Sequence, residues 1–359
     1  VRLARLWLTD FRSYASADIE FAPGLTALLG ANGEGKTNVM EAIGYLATLS
    51  SFRGAPNDAL VRAGATSAVV RAEGEREGRS LLIEAEVATT GRGRVQVNKQ
   101  RLARARDLLG ALRVSVFCPD DLELVKGGPA MRRGYLDDTL VSRRPALDSL
   151  RTDLDRVLRQ RNALLRQSGG RLTPEIESTL LVWDTKLVES GEAFADARAA
   201  LVAELAPVLD TAYAQVAGRS APVALVYDAP WRVGGLAAAL EEARRDELRR
   251  GVSLVGPHRD DLVITIDGLP SRTHASQGEQ RSLALALRLA AHRVVTEATG
   301  SAPILLLDDV FSELDPDRSA ALLAHLPTGQ TVLSSASGLP PGADPELVLR
   351  VAEGSVAAS

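Results

Sequence analysis

Gly30-Ala31-Asn32-Gly33-Glu34-Gly35-Lys36-Thr37 reads G-x-x-x-x-G-K-T. It follows the apolar run Leu25-Thr26-Ala27-Leu28-Leu29 and precedes a helical pattern that begins at Asn38. A phosphate-binding loop needs this strand–loop–helix setting. The glycines let successive backbone N–H groups turn inward, and the next helix adds its positive N-terminal end. In that setting Lys36 reaches β- and γ-phosphates, and the Thr37 hydroxyl holds Mg2+. A glycine-rich turn alone would give the same letters, so the remainder of the chain has to decide.

A second stretch fits the first. Ile304-Leu305-Leu306-Leu307-Asp308-Asp309 is an apolar run that ends in two carboxylates. Buried parallel strands read this way, and ligands of open α/β sheets bind at their C-terminal ends. Asp308 is the candidate for holding Mg2+ through its water shell, and Asp309 for orienting or deprotonating an attacking water.

Composition sets the bounds. The 359 residues are 45% hydrophobic and 25% charged, enough for one large or two ordinary domains. No apolar run approaches the roughly 20 residues of a membrane span. Val1–Trp7 lacks the pattern of a signal peptide. The single cysteine, Cys118, excludes an internal disulfide and fits a reducing compartment, so a cytoplasmic protein with no membrane partner is expected. Net charge is −4, so any nucleic-acid surface must be local rather than global.

The first segment alternates like a strand, with Leu3, Arg5 and Trp7 on one face and Ala4, Leu6 and Leu8 on the other. Further strands are expected at 17–21, 68–73, 80–88 and 94–98, separated by Gly-rich turns. From Pro145 the period changes to three and four, with Leu147, Leu150, Leu154, Val157 and Leu158 in register. Ser168-Gly169-Gly170 breaks that helix, and Thr173-Pro174 starts another that is expected to end before Pro207. The pair makes a short antiparallel hairpin. Strands return at 221–227 and 261–266, a long helix runs from about Gly278 to Ala298, and a closing strand lies near 331–334.

Between helix and strand stand two more motifs. Ser276-Gln277-Gly278-Glu279-Gln280-Arg281 opens the long helix, and Phe311-Ser312-Glu313-Leu314-Asp315-Pro316 follows the carboxylates. They resemble the signature motif and D-loop of the ATP-binding-cassette superfamily, although Ser276 also suits a plain helix cap. The segments Leu6-x-Leu8-x-x-Phe11-Arg12-Ser13-Tyr14, the loop through Asn38, and Glu41-Ala42-Ile43 narrow the resemblance to the RecF/SMC group. Three stretches resemble the RecF family within it. They are Phe117 through Asp137, Arg161-Asn162-x-Leu164-Leu165 with Trp183-Asp184, and Gly256-Pro257-His258-Arg259-Asp260-Asp261.

The resemblance implies an α/β fold: an ABC-type ATPase head, with a mixed sheet around the phosphate loop and a helical second lobe bearing a short hairpin. Lobe I would comprise residues 1–118 and 299–359, and lobe II residues 119–298. It implies ATP and Mg2+ as cofactors and slow, DNA-dependent ATP hydrolysis. Two copies would sandwich two nucleotides, the Ser276 end of one facing the loop of the other, and hydrolysis would release the dimer. The DNA partners implied are double strands and single/double-strand junctions, and the protein partners are RecR with RecO, which load RecA at gaps. Carried over residue by residue, the nucleotide set is Gly30, Ala31, Asn32, Gly33, Glu34, Gly35, Lys36, Thr37, Asn38, Arg12, Ser276, Gly278 and Gln280. Lys36, Asp309 and Ser335 are the catalytic candidates, Ser335 from the stretch Leu333-Ser334-Ser335 that offers only a hydroxyl where transporters carry a switch histidine; Thr37 and Asp308 are the metal candidates. Pro119-Asp120-Asp121 takes the place of the glutamine loop without a glutamine. Two basic stretches are candidates for DNA phosphates: Arg92 through Arg106, and Arg132, Arg133, Arg143 and Arg144. Two other readings remain open at this point. One is a transporter-associated or signalling ATPase that never touches DNA; the other is a head that binds ATP without hydrolysing it.

Overall fold

The computed structural model describes residues 1–91 and 93–358. Two compact units emerge. The first comprises Val1–Leu122, Thr211–Ser220 and Arg281–Ser359, and the second Glu123–Asp210 and Ala221–Gln280. Their limits differ from the divisions at 118/119 and 298/299 expected above. The helices Pro174–Ala217 and Gln277–Thr299 each run through a unit boundary, so no turn residue marks it.

In the first unit one sheet has the order Ser355–Ala358, Leu347–Ala352, Leu25–Leu29, Thr331–Ser335, Ile304–Asp308, Val114–Phe117. All pairs are parallel except the C-terminal hairpin. The expected closing strand is therefore interior, lying between Leu25–Leu29 and Ile304–Asp308. Every residue of Ile304–Asp308 and of Thr331–Ser335 is buried, which explains the unbroken apolar run Ile304–Leu307. An antiparallel sheet joins Tyr14–Glu20, Arg2–Phe11, Ser67–Arg76, Arg79–Ala88, Val95–Val97 and Gln100–Arg101 in that order. The helix Lys36–Thr48 contacts strands of both sheets, and Val39, Met40, Ile43 and Leu46 are fully buried in the shared core. A helix covered on several sides carries no clean polar face, as its sequence shows.

The first strand corrects the simple alternation. Its register against Ser67–Arg76 shifts between Leu3 and Arg5, a bulge that turns Leu3 to the side of Leu6 and Leu8. Gln330 takes up the backbone polar groups there: Leu3 N donates to its Oε1 at 2.7 Å, and its Nε2 donates to Leu3 O and Ala22 O at 2.6 and 2.7 Å.

The second unit holds the helices Pro129–Arg143, Leu147–Gln167 and Leu236–Arg250, most of Pro174–Ala217, and a small sheet of Leu269–Pro270, Asp261–Ile266 and Val223–Asp228. The helix expected to stop before Pro207 continues to Ala217. A proline inside a helix costs about 3 kcal/mol. Leu201, Val202, Leu205, Leu209, Ala212 and Tyr213, all buried on either side of it, offset that cost by roughly 1.5–3 kcal/mol for each large side chain.

The hairpin of this unit is locked by charge. Arg161 is completely buried; its Nε donates to Asp184 Oδ1 at 2.7 Å, its Nη1 to Ser253 Oγ at 2.8 Å and its Nη2 to Glu247 Oε2 at 2.6 Å. Arg244 donates to the other oxygen of Asp184, and Leu254 N to the other oxygen of Glu247. Asn162 Oδ1 accepts from Ser253 N and Oγ. The Arg161-Asn162 and Trp183-Asp184 motifs thus serve the interior of this unit.

Candidate functional site

The loop Gly30–Gly35 leaves the end of a central strand and enters the helix at Lys36. Gly35 caps that helix at φ 110°, a backbone conformation L side chains rarely adopt, and no side chain occupies the cap. The N–H groups of the first turn are therefore left to an incoming anion. Gly30 is needed for space, since a Cβ there would lie 2.2 Å from Val351 O. Lys36 Nζ donates to Gly30 O and Ala31 O, both at 2.8 Å, so its ammonium folds back along the loop. Ala31, Asn32 and Gly33 form the exposed apex. Glu34 turns its carboxylate away to accept from Glu353 N. Asn38 Nδ2 donates to Ser13 Oγ at 2.9 Å and Tyr14 OH to Gly35 O at 3.1 Å, so the turn after the first strand braces the loop.

The carboxylates meet the loop directly. Thr37 Oγ1 donates to Asp308 Oδ1 at 2.9 Å, and Ser334 Oγ donates to the same oxygen at 2.8 Å. Asp309 N donates to Ser334 Oγ at 3.0 Å. Burial pushes the Asp308 carboxyl above its usual range, while the hydrogen bonds from Ser334 and Thr37 and the positive charge of Arg53 pull the other way. Asp309 sits in the left-handed region at φ 51°, and its Oδ1 is buried with no hydrogen-bond partner among the described residues. An orphaned carboxylate oxygen beside a hydroxyl–carboxylate pair suits a site completed by a cation and water. Among the described residues no cluster of three His, Cys, Asp or Glu side chains forms, so a divalent ion here would draw its other ligands from phosphate and water.

Two participants escaped the sequence reading. Ser334, next to Ser335, is the hydroxyl that bridges Asp308 and Asp309. Successive strand residues point to opposite faces; Ser335 instead has Ser337 Oγ at 3.5 Å, and its carbonyl accepts from Gly30 N. Only strand register separates the two. Arg53 lies exposed in a Gly/Pro-rich segment that reads as an ordinary loop, yet its charge acts on Asp308.

The structure gives Arg12 another task. Its Nε and Nη2 form a bidentate pair with buried Glu41 at 2.7 Å, and its Nη1 donates to Ala59 O. Three of its five N–H donors are thereby engaged with Glu41 and Ala59. Gln280 is also engaged, since its Nε2 donates to Ser271 O and Arg272 O at 3.2 Å. Ser276 is exposed and forms a reciprocal cap with Glu279: Ser276 N donates to Glu279 Oε2 and Glu279 N to Ser276 Oγ. Gly278 follows in the first turn of the same helix. Asp121 accepts from Arg288 Nε and Nη2. Burial raises the Cys118 thiol to about 12, which removes it as a nucleophile.

Of the two basic stretches, three arginines of the second are engaged within their own unit, and Arg144 is exposed. Arg132 pairs with Asp261, Arg133 donates to Asp260 O, and Arg143 pairs with Glu204. In the first, Arg94 pairs with Glu86, whereas Lys99, Arg101 and Arg104 are exposed; Arg92 lies outside the described residues. Among the described residues no helix is long and apolar enough to cross a membrane.

Comparison with known proteins agrees with this geometry. Residues 2–332 match the RecF/RecN/SMC N terminal domain family. The chain is 45% identical over 335 residues to the DNA replication and repair protein RecF of Acidothermus cellulolyticus, covering 89% of each. It is 43% identical over 352 residues to RecF of Streptomyces avermitilis, covering 94% of each. A solved structure of the recombination mediator protein RecF with ATP, of the RecFOR pathway, superimposes with a TM-score of 0.92 at 27% identity, covering 100% of this chain and 97% of that one. The Smc head of Pyrococcus furiosus, at 18% identity and a TM-score of 0.60, shares the fold. The chain belongs to the RecF family of DNA replication and repair proteins, within the RecF/RecN/SMC group of ABC-type ATPases.

Proposed function

We propose that this chain is an ATP-driven DNA clamp of recombinational gap repair, acting in the cytoplasm. The observation that carries the reading is the 2.9 Å bond joining Thr37 to Asp308, 271 residues apart, with the orphaned Oδ1 of Asp309 alongside. In this reading the Gly30–Gly35 N–H groups and the helix end receive the phosphates, with Ala31, Asn32 and Asn38 shaping the rim. Lys36 leaves the loop carbonyls for the β- and γ-phosphates. Thr37 and Asp308 hold Mg2+, which when bound neutralises charge developing on the phosphate oxygens. Asp309 orients the attacking water, and Ser334 keeps the two carboxylates in place. Ser335 then serves the loop through its carbonyl. Ser276 and Gly278 of a second copy complete each nucleotide site, so ATP closes a homodimer and slow, DNA-stimulated hydrolysis opens it. The closed form holds double-stranded DNA or a single/double-strand junction and works with RecR and RecO to load RecA, as the pathway name of the solved RecF with ATP supports.

Arg53 gives a graded test. As an exposed cation beside the phosphate site, its replacement by alanine is expected to lower ATP turnover about tenfold, less than the ~10²–10³ of a fully enclosed donor. Steady-state phosphate release reads the effect, and unchanged turnover would remove Arg53 from the site. For the function as a whole, the full chain is titrated with a labelled gapped duplex, with and without ATP, across a salt series. Tight binding that needs ATP and weakens steeply with salt is expected. Binding indifferent to ATP would contradict the clamp.

A further inference from the structure

The outer face of the antiparallel sheet carries a cluster that the nucleotide site does not use. Register places Trp7, Arg71, Glu84 and Gln96 side by side across four strands, on the side opposite the core. With Leu82 and Lys99, the last three line a cleft of about 80 Å³. Asn98 and Lys99, both at positive φ, form the tight hairpin turn that brings Lys99 to the cleft.

Several charges around this cleft are paired off, whereas among the described residues those inside it form no ion pair. Arg5 pairs with Asp18 at 2.6 Å, and Arg94 with Glu86 at 2.7 Å. Arg71 stands directly opposite Glu84 in register, yet the two form no ion pair among the described residues. Instead the Arg71 guanidinium lies over the Trp7 ring at 4.9 Å, with Arg5 over the same ring at 5.2 Å. Arg71 Nε is buried with no hydrogen-bond partner among the described residues. A buried donor left unmet is a cost that a small turn of the guanidinium toward a ligand oxygen would relieve.

We propose that this cleft is a docking point for an acidic side chain presented by a partner protein. The ligand's carboxylate meets Arg71 and Lys99, and its own backbone N–H donates to Glu84. The volume matches one short acidic side chain and is too small for a nucleotide. The face also carries Asp18, Glu20, Glu73 and Glu86, which would oppose a duplex presenting a negative charge about every 1.7 Å along its axis. A single carboxylate avoids that repulsion, so charge complementarity selects a protein segment over a nucleic-acid backbone.

The test uses the full ¹⁵N-labelled chain, with the Trp7 indole resonance assigned through Trp7→Phe. The probe is N-acetyl-aspartate N-methylamide, and its asparagine counterpart is the neutral control. Saturable shifts of the Trp7 indole and of the Gln96 and Lys99 amides are expected with the aspartate probe, with at least tenfold weaker binding of the asparagine compound. Lys99→Ala, in an exposed turn where the fold is indifferent to it, is expected to weaken the aspartate probe at least fivefold, and Arg71→Lys to weaken it as well. No saturable shift, or equal response to the two probes, overturns the proposal. Shifts produced by inorganic phosphate or a duplex oligonucleotide but not by the aspartate probe also overturn it, and would assign the face to phosphate instead.

Discussion

Replacing Lys36 by methionine is expected to lower ATP turnover by about 10²–10³-fold without unfolding the chain. Lys36 is buried, and its ammonium donates to two carbonyls of its own loop, Gly30 and Ala31. Methionine fills the same volume along the stem, so the helix Lys36–Thr48 keeps its packing while the loop loses its ammonium. The lost interaction is one that strengthens as charge grows on the transferred phosphate, so the deficit should fall mainly on kcat. Phosphate release under saturating ATP measures it, with thermal unfolding as the control for folding. Turnover within a few-fold of the parent chain would show that the loop is not the hydrolytic site.

Arg161→Ala is expected to destabilise the second unit by about 3–5 kcal/mol, the cost of leaving buried carboxylates without their cation. Arg161, Glu247 and Asp184 are all buried, and the arginine sits at the centre of the bonds that tie the two hairpin helices to the helix Leu236–Arg250 and to Ser253. Replacing Arg161, Asp184 and Glu247 together by apolar residues of similar volume should cost less than the single change, because no unpaired charge remains. Urea unfolding of both variants separates these outcomes. A single variant within 1 kcal/mol of the parent would mean that the network is solvated in the native state.

The loop and the carboxylate strand were legible because their signals are local. Glycine spacing at 30–35 and the apolar run 304–307 ending in Asp308 each follow from a few consecutive residues, and the structure joins them through Thr37. What stayed hidden depends on partners far away in the chain. The bulge at Leu3 is stabilised by Gln330, and nothing near Leu3 announces that. Pro207 looked like a helix end because local rules cannot weigh the buried leucines that carry the helix past it. The pairing of Arg12 with Glu41 on the loop-bearing helix, 29 residues on, has no local signal either. Ser334 and Ser335 differ only in which face of a strand they occupy, and Arg53 has no motif of its own. The arginines at 132, 133 and 143 illustrate the same limit, since a basic run in sequence became a set of internal ion pairs and hydrogen bonds once Asp261, Asp260 and Glu204 were in place.

The central claim, that ATP closes two copies of this chain through the Ser276 end of the long helix, is tested most directly by light scattering with ATP on the parent chain and on Ser276→Arg. Ser276 is exposed and caps its helix together with Glu279, so the bulky cation should block a facing subunit while ATP binding to the monomer, followed with a fluorescent analogue, persists. The account predicts an ATP-dependent doubling of mass in the parent chain and none in the variant. A parent chain that stays monomeric with ATP, or a variant that dimerises like the parent, would contradict it.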